Sequence, residues 1–253
     1  MTLLINRGGL TYPSLLYKYK VDIAHLEDIF LTSELFFPKP ELLNDPFDIR
    51  YMYDDDSYYS MMKSSKRWKK FEKFIEDEKE PNKEIFYKFS NSINRRGIAV
   101  FSMSKSSECR LLWGYYAGGY TGYCIEFDFC EGASFKDRIF EVEYSLESDM
   151  IPKDKYRDLT KVENYYKPFV VKHKDWIHEK EYRAIVESKK WDSFSERRII
   201  EKRLIKSIIF GYKADDVLIH NLREMADQNG FQHVEFYKLH LINSGLIKKI
   251  VEF

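Results

Sequence analysis

The sequence predicts an α+β fold: a single domain with a split mixed sheet, flanking helices and a helical insertion. Three observations carry this expectation. Short runs of two-residue alternation, such as Thr121 to Phe129, recur along the chain and read as strands. Several of them follow one another with no helical stretch between, unlike a strictly alternating α/β chain. A helix-rich block at about 57–96, divided near Pro81, lies between two strand-bearing regions.

The elements can be justified in order. Leu15 to Tyr19 reads as a strand. Residues 22–31 carry apolar side chains at helical spacing behind Asp22, a good N-cap. Leu35-Phe36-Phe37 is a brief strand stopped by Pro38 and Pro40. Asn44-Asp45-Pro46-Phe47-Asp48 has the chemistry of a tight turn, with Asn44 and Asp48 expected to bond backbone groups and Phe47 to enter the core. An acidic turn follows at Asp54 to Asp56. Residues 97–104 read as a buried strand with a polar end, and 106–117 as a helix on which Trp113 and Tyr116 share a face. Strands are expected at 121–129 and 140–144, then helical structure at 153–174. A strand over 176–186, a helix near 193–203 and a strand at 205–211 come next. The helix at 215–228 ends at Gly230, and strands near 233–240 and 246–251 close the chain.

Composition narrows the function classes. The 253 residues hold 41 Lys plus Arg against 41 Asp plus Glu. A balanced charge argues against a protein built mainly to coat nucleic acid, while a local basic run from Lys63 to Lys73, with Trp68 and Phe71, keeps contact with nucleic acid open. The apolar start is too short for a signal peptide, and no run of about 18 apolar residues suggests a membrane span. Cys109, Cys124 and Cys130 are odd in number and lack CxxC spacing. They suggest a cytoplasmic protein without a disulfide framework. No HxxxH or HxH pair occurs, so no structural metal is expected. His173 or His178 with Cys109 or Cys124 is the candidate for nucleophilic chemistry by Cys and His, without a local signature.

Chemistry concentrates at Glu179-Lys180-Glu181-Tyr182-Arg183. Read as a strand, Glu179, Glu181 and Arg183 share one face, with His178, Lys180 and Tyr182 on the other. Such a face is either solvated or the wall of a cleft.

Three blocks resemble a widespread bacterial and phage family filed as a domain of unknown function. They are Leu16-Tyr17-Lys18-Tyr19-Lys20 with Leu43-Asn44-Asp45-Pro46-Phe47-Asp48, then Trp113-Gly114-Tyr115-Tyr116-Ala117 with Gly122 and Phe127, then Trp176 with Glu179 to Arg183. That family's setting implies a toxin or antiphage effector. The order Lys18 or Lys20, Ser102-Met103-Ser104 and Glu179-Lys180-Glu181 also resembles ADP-ribosyltransferases of the arginine–serine–glutamate class, with lysine where those enzymes carry arginine. This second resemblance implies NAD as substrate and an unknown macromolecular acceptor. Glu181 would hold the ribose and stabilise an oxocarbenium-like centre, Glu179 would take the acceptor's proton, and Ser102 would orient Glu181. Lys18, Lys20 and Arg183 would serve binding, with Tyr19, Phe37 or Tyr116 stacked on the nicotinamide ring. Two alternatives stand beside it: a non-catalytic module for nucleic acid, nucleotide or protein, and an NAD hydrolase that uses water.

Overall fold

The centre of the sheet is nearly torn. In the computed structural model, β3 (Leu15–Lys20) and β5 (Ile98–Ser104) lie side by side but share one register pair, Tyr17 with Ser104. The structure describes residues 4–7, 10–49, 98–130, 135, 138–146, 169–187 and 195–252. The helical insertion expected at 57–96, the acidic turn and the basic run lie outside these residues, as does most of the helix expected over 153–174. Of that last stretch, Val171–His173 is a strand, β9.

Six more strands extend the sheet on either side of the tear. They are β6 (Tyr123–Asp128), β7 (Ile139–Glu141), β10 (Glu181–Glu187), β12 (Ile205–Phe210), β13 (Glu235–Ile242) and β14 (Gly245–Ile250). The eight lie in the order β14-β13-β12-β6-β3-β5-β10-β7. All neighbours in it run antiparallel except β12 and β13. Their parallel pairing requires a crossover, supplied by the helix Asp216–Gln228. Outside this sheet, β1 (Leu4–Arg7) pairs with β2 (Leu10–Pro13), and β8 (Glu143–Ser145) pairs with β9. Asp215 caps the crossover helix by accepting from the Leu218 N–H, and Asp22 caps α1 (Ile23–Thr32) in the same manner through Ala24. With helices beside a mixed sheet, the α+β class holds. No helix among the described residues is long and apolar enough to cross a membrane.

Alternation along the strands separates two faces. Ala99, Phe101 and Met103 of β5, Tyr123, Ile125 and Phe127 of β6, and Tyr182, Ala184 and Val186 of β10 enter one large core with α1. The intervening residues form two smaller cores on the other face. Ile98, Val100 and Ile185 belong to one, while Tyr19, Cys124 and Trp113 belong to the other. Trp113 comes from the short helix α2 (Arg110–Tyr115). Ser102, Ser104, Glu181 and Arg183 share this second face, where the tear opens between the two smaller cores.

Three sequence expectations need correction. Residues 195–199 are a strand, β11, paired antiparallel with β4 (Glu34–Pro38). Ser-Glu-Arg-Arg-Ile has no apolar helical face, and Arg197 instead reaches Asp28 and Glu34 beside β4. Phe37, expected to stack on a ligand, is fully buried between Phe101 and Phe135. Phe47, expected in the core, is 59% exposed. Phe37→Ala should therefore lower the unfolding free energy by about 3–5 kcal/mol, and Phe47→Ala should change it by no more than about 0.5 kcal/mol. Denaturant titrations of the two variants measure this contrast.

Candidate active site in the gap of the sheet

A cleft of about 390 Å³ occupies the tear. Its floor is the polar end of β5, and its walls include β3, the 42–48 turn, Tyr116 and the segment 172–181. Lys18, Lys20, Tyr19, Ser102, Tyr116, Glu179 and Glu181 all line it, although they come from four regions of the sequence. Of the other expected site residues, Arg183 lies beneath the cleft and Phe37 lies away from it.

Glu179 and Glu181 meet by a route that strand alternation did not foresee. Glu179 is not in the strand. It ends a 3-10 turn over Lys174–Glu179, and Lys180 then turns through the left-handed region with φ of 45°. That conformation costs a non-glycine residue about 1 kcal/mol. Two bonds hold it: the Ser104 hydroxyl donates to the Glu179 carbonyl at 2.7 Å, and the Lys105 N–H donates to the Lys180 carbonyl at 3.0 Å. The hydroxyls of the Ser-x-Ser strand end thus have separate tasks, since Ser102 donates to the Glu181 carboxylate itself.

Both carboxylates close on Lys172, whose ammonium lies 2.5 Å from Glu179 Oε2 and 3.1 Å from Glu181 Oε2. Arg183 supports them from below. Nε and Nη2 donate to the two oxygens of Glu181 at 2.8 and 3.0 Å, and Nη1 and Nη2 donate to those of Asp48 at 2.9 and 2.6 Å. Nη1 also donates to the Phe169 carbonyl at 2.8 Å. All five guanidinium N–H groups are therefore used, as a fully buried arginine requires. Lys172 and Asp48 were missed from the sequence. Asp48 was read as a turn residue bonding backbone, and Lys172 lay in a stretch expected to be helical. Asn44, also expected to bond backbone, donates instead to the Tyr116 hydroxyl at 3.1 Å. Tyr116 in turn donates to Glu179 Oε1 at 2.6 Å.

The electrostatics distinguish the two glutamates. Burial pushes the Glu179 carboxyl up, and the Glu181 charge adds to this, with Lys172 in opposition. Burial also acts to raise Glu181, but Arg183 and then Lys172 reverse it and hold the group well below the usual carboxylate range. Glu181 is thus a saturated anion, and Glu179 is the member of the pair that takes a proton. Lys172 and Arg183 are the cations that Asp48, Glu179 and Glu181 face.

Across the gap, Lys18 stands in for missing sheet bonds. Its ammonium donates to the Ser102 carbonyl at 2.7 Å and lies 4.5 Å over the Phe101 ring. Burial lowers its pKa to about 7; Lys20 adds to that, and Glu181 and Glu179 oppose it. Nearby, Gly122 must lack a side chain, because a Cβ there would lie 2.3 Å from the Lys20 carbonyl oxygen. Tyr19 is tied to the core, with its hydroxyl on the Ser106 carbonyl and its ring edge-on to Trp113. Neither Cys109 nor Cys124 is paired with the imidazole of His173 or His178. Cys109 Sγ approaches the His178 carbonyl and not its imidazole, and Cys124 is buried with its thiol pKa raised by that burial.

Comparison with protein-family models, with curated proteins and with solved structures returned no match. The chemistry of the cleft is therefore argued from its own geometry.

Arg183→Met should cost about 3–5 kcal/mol at pH 7, because it leaves buried carboxylates without their partner. The pH dependence has a defined sign. In the native protein the depressed Glu181 pKa contributes stability above the unfolded carboxylate value, and this is lost as pH falls. In the variant, Glu181 loses the guanidinium that holds its pKa down and shifts upward, so acidification relieves its burial. The gap between variant and native midpoints should narrow from pH 7 to pH 5 in denaturant titrations.

Proposed function

We propose that the cleft binds NAD and cleaves its nicotinamide–ribose bond, passing ADP-ribose to an acceptor. The observation that supports this reading is the convergence of Lys18, Lys20, Ser102, Glu179 and Glu181 on one cleft from distant parts of the sequence. Two ammonium groups at one wall suit a pyrophosphate, although a lysine is a point charge and lacks the arginine fork. Two carboxylates at the other suit a sugar centre that gains positive charge as neutral nicotinamide departs with the bonding electrons.

The geometry favours a division of labour between the glutamates. Glu181 already accepts from Arg183, Lys172 and Ser102, so its role is to fix Lys172 and, through it, Glu179. Glu179 meets the developing oxocarbenium as an anion. It then takes the proton of the attacking acceptor, which its raised pKa assists. Tyr116 and Asn44 hold its outer oxygen in place. Water as the attacking group would make the same site an NAD hydrolase.

The saturation of Glu181 favours a second reading, a nucleotide-binding module without turnover. Nicotinamide release from NAD by purified protein, with and without cell extract as acceptor source, separates the two. Under the enzyme reading, Glu179→Gln should slow release by about 10²–10⁴-fold while NAD binding persists. Binding without release in the native protein selects the module, and absence of both rejects NAD as the ligand.

Lys18 gives a further expectation. Its ammonium must be protonated to hold a phosphate, and its pKa is lowered to about 7. NAD affinity should therefore fall as pH rises from 6 to 8. Lys18→Gln should bind more weakly at pH 6 and lose most of that slope, as titration calorimetry at the two pH values would measure.

A further inference from the structure

The tear is not the only place where a side chain replaces a ladder bond. On the other flank of β10, β7 stops at Glu141, opposite Tyr182. Val142 still donates its N–H to the Glu181 carbonyl at 2.9 Å. The chain then leaves β10. The Glu143 N–H goes to the Val170 carbonyl at 2.8 Å, and residues 143–145 pair with β9 instead. The Glu181 N–H, at the start of β10, has lost its strand acceptor and needs another. The Tyr144 hydroxyl accepts it at 2.8 Å.

Tyr144 and Lys172 arrive together. They are register partners in the parallel pair of β8 and β9, so their side chains leave the same face. Both turn to the first residue of β10. Lys172 meets the carboxylates of Glu181 and Glu179, and Tyr144 holds the Glu181 backbone. Burial pushes the Tyr144 pKa up, against the Glu181 N–H and Lys172, and the two glutamate charges add to the rise. The phenol therefore stays neutral, and no third anion stands beside the pair. Tyr144 does not line the cleft.

We propose that Tyr144 is a positioning residue for Glu179, acting through the Glu181 N–H. Glu179 lies one residue beyond the left-handed corner at Lys180. Ser104 and Lys105 hold that corner from the β5 flank, and Tyr144 holds its end from the β7 flank. The inference rests on the proposed role of Glu179 as the base of the cleft.

Tyr144→Phe in the full chain tests this, since it keeps the ring and removes the acceptor. The Glu181 amide should exchange its hydrogen roughly tenfold faster. Burial is the main cause of the raised Glu179 pKa, so water admitted at the corner should move the titration of its carboxyl to lower pH. Carbon-13 NMR of labelled glutamate reads this, with the signal assigned by Glu179→Gln. For nicotinamide release, kcat should fall by roughly tenfold or more with KM for NAD unchanged, and its pH profile should move with the carboxyl titration. A Glu181 amide and a Glu179 titration that match the native protein overturn the positioning role, as does a lower kcat with an unmoved titration. If Tyr144→Phe does not fold, 3-fluorotyrosine at position 144 alone keeps the hydroxyl as a weaker acceptor. The same two NMR readouts should then shift in the same directions, and unchanged values overturn the role. Native protein that releases no nicotinamide removes the enzyme reading, while the amide exchange and carboxyl titration still decide the role of Tyr144.

Discussion

The candidate site depends on one guanidinium. Arg183 is fully buried and ties three parts of the chain together: β10, the 44–48 turn through Asp48, and the Phe169 carbonyl. Stripping water from such a group costs several kcal/mol, and its partners return that only if every N–H finds an acceptor. Here each does. This arrangement need not raise stability, because an apolar side chain of similar volume is often as good. Its contribution is to position. A lysine could not reach both carboxylates in two-pronged fashion, and an apolar residue would leave Asp48 and Glu181 buried without partners.

That rigid base allows the sheet to remain open above it. Between β3 and β5 a normal ladder would fill the space the cleft occupies. One register pair survives, and Lys18 supplies a bond to the Ser102 carbonyl from its side chain. A side-chain bond of this kind satisfies the exposed edge of β5 and places an ammonium in the cleft as well. The glycine at 122 reflects the same geometry, since the turn after α2 must pass against the end of β3.

Much of this was legible in the sequence, and the failures have physical causes. Period-two alternation located β6 and β10, a buried run with a polar end located β5, and caps located both long helices, because these signals are local. Trp113 and Tyr116 were readable as neighbours on one helix face from their spacing of three, and the structure puts Trp113 in the core and Tyr116 at the cleft. The Glu179–Glu181 pair was found for an incomplete reason, since the left-handed corner at Lys180 gives no signal in a residue that seldom adopts it. Asp48 was misassigned because a turn aspartate ordinarily bonds its own backbone. Its actual partner lies 135 residues away. Phe37 illustrates the converse limit: an aromatic on a short strand reads the same whether it faces a ligand or a core. No residue pattern announces Lys172, whose importance arises only when the fold delivers two glutamates to it.

The last step concerns charge. Asp48, Glu179 and Glu181 oppose two strongly held cations, Lys172 and Arg183, so one negative charge in the cluster is uncompensated. Two groups bordering the cleft respond to it in opposite ways. Glu179 is raised by burial and by Glu181, so it seeks a proton, while Lys18 is lowered by burial and by Lys20, so it gives one up readily. On the proposed reading, an entering pyrophosphate holds Lys18 in its charged form, and that ammonium is a cation that faces Glu179 and Glu181 from the opposite wall of the cleft.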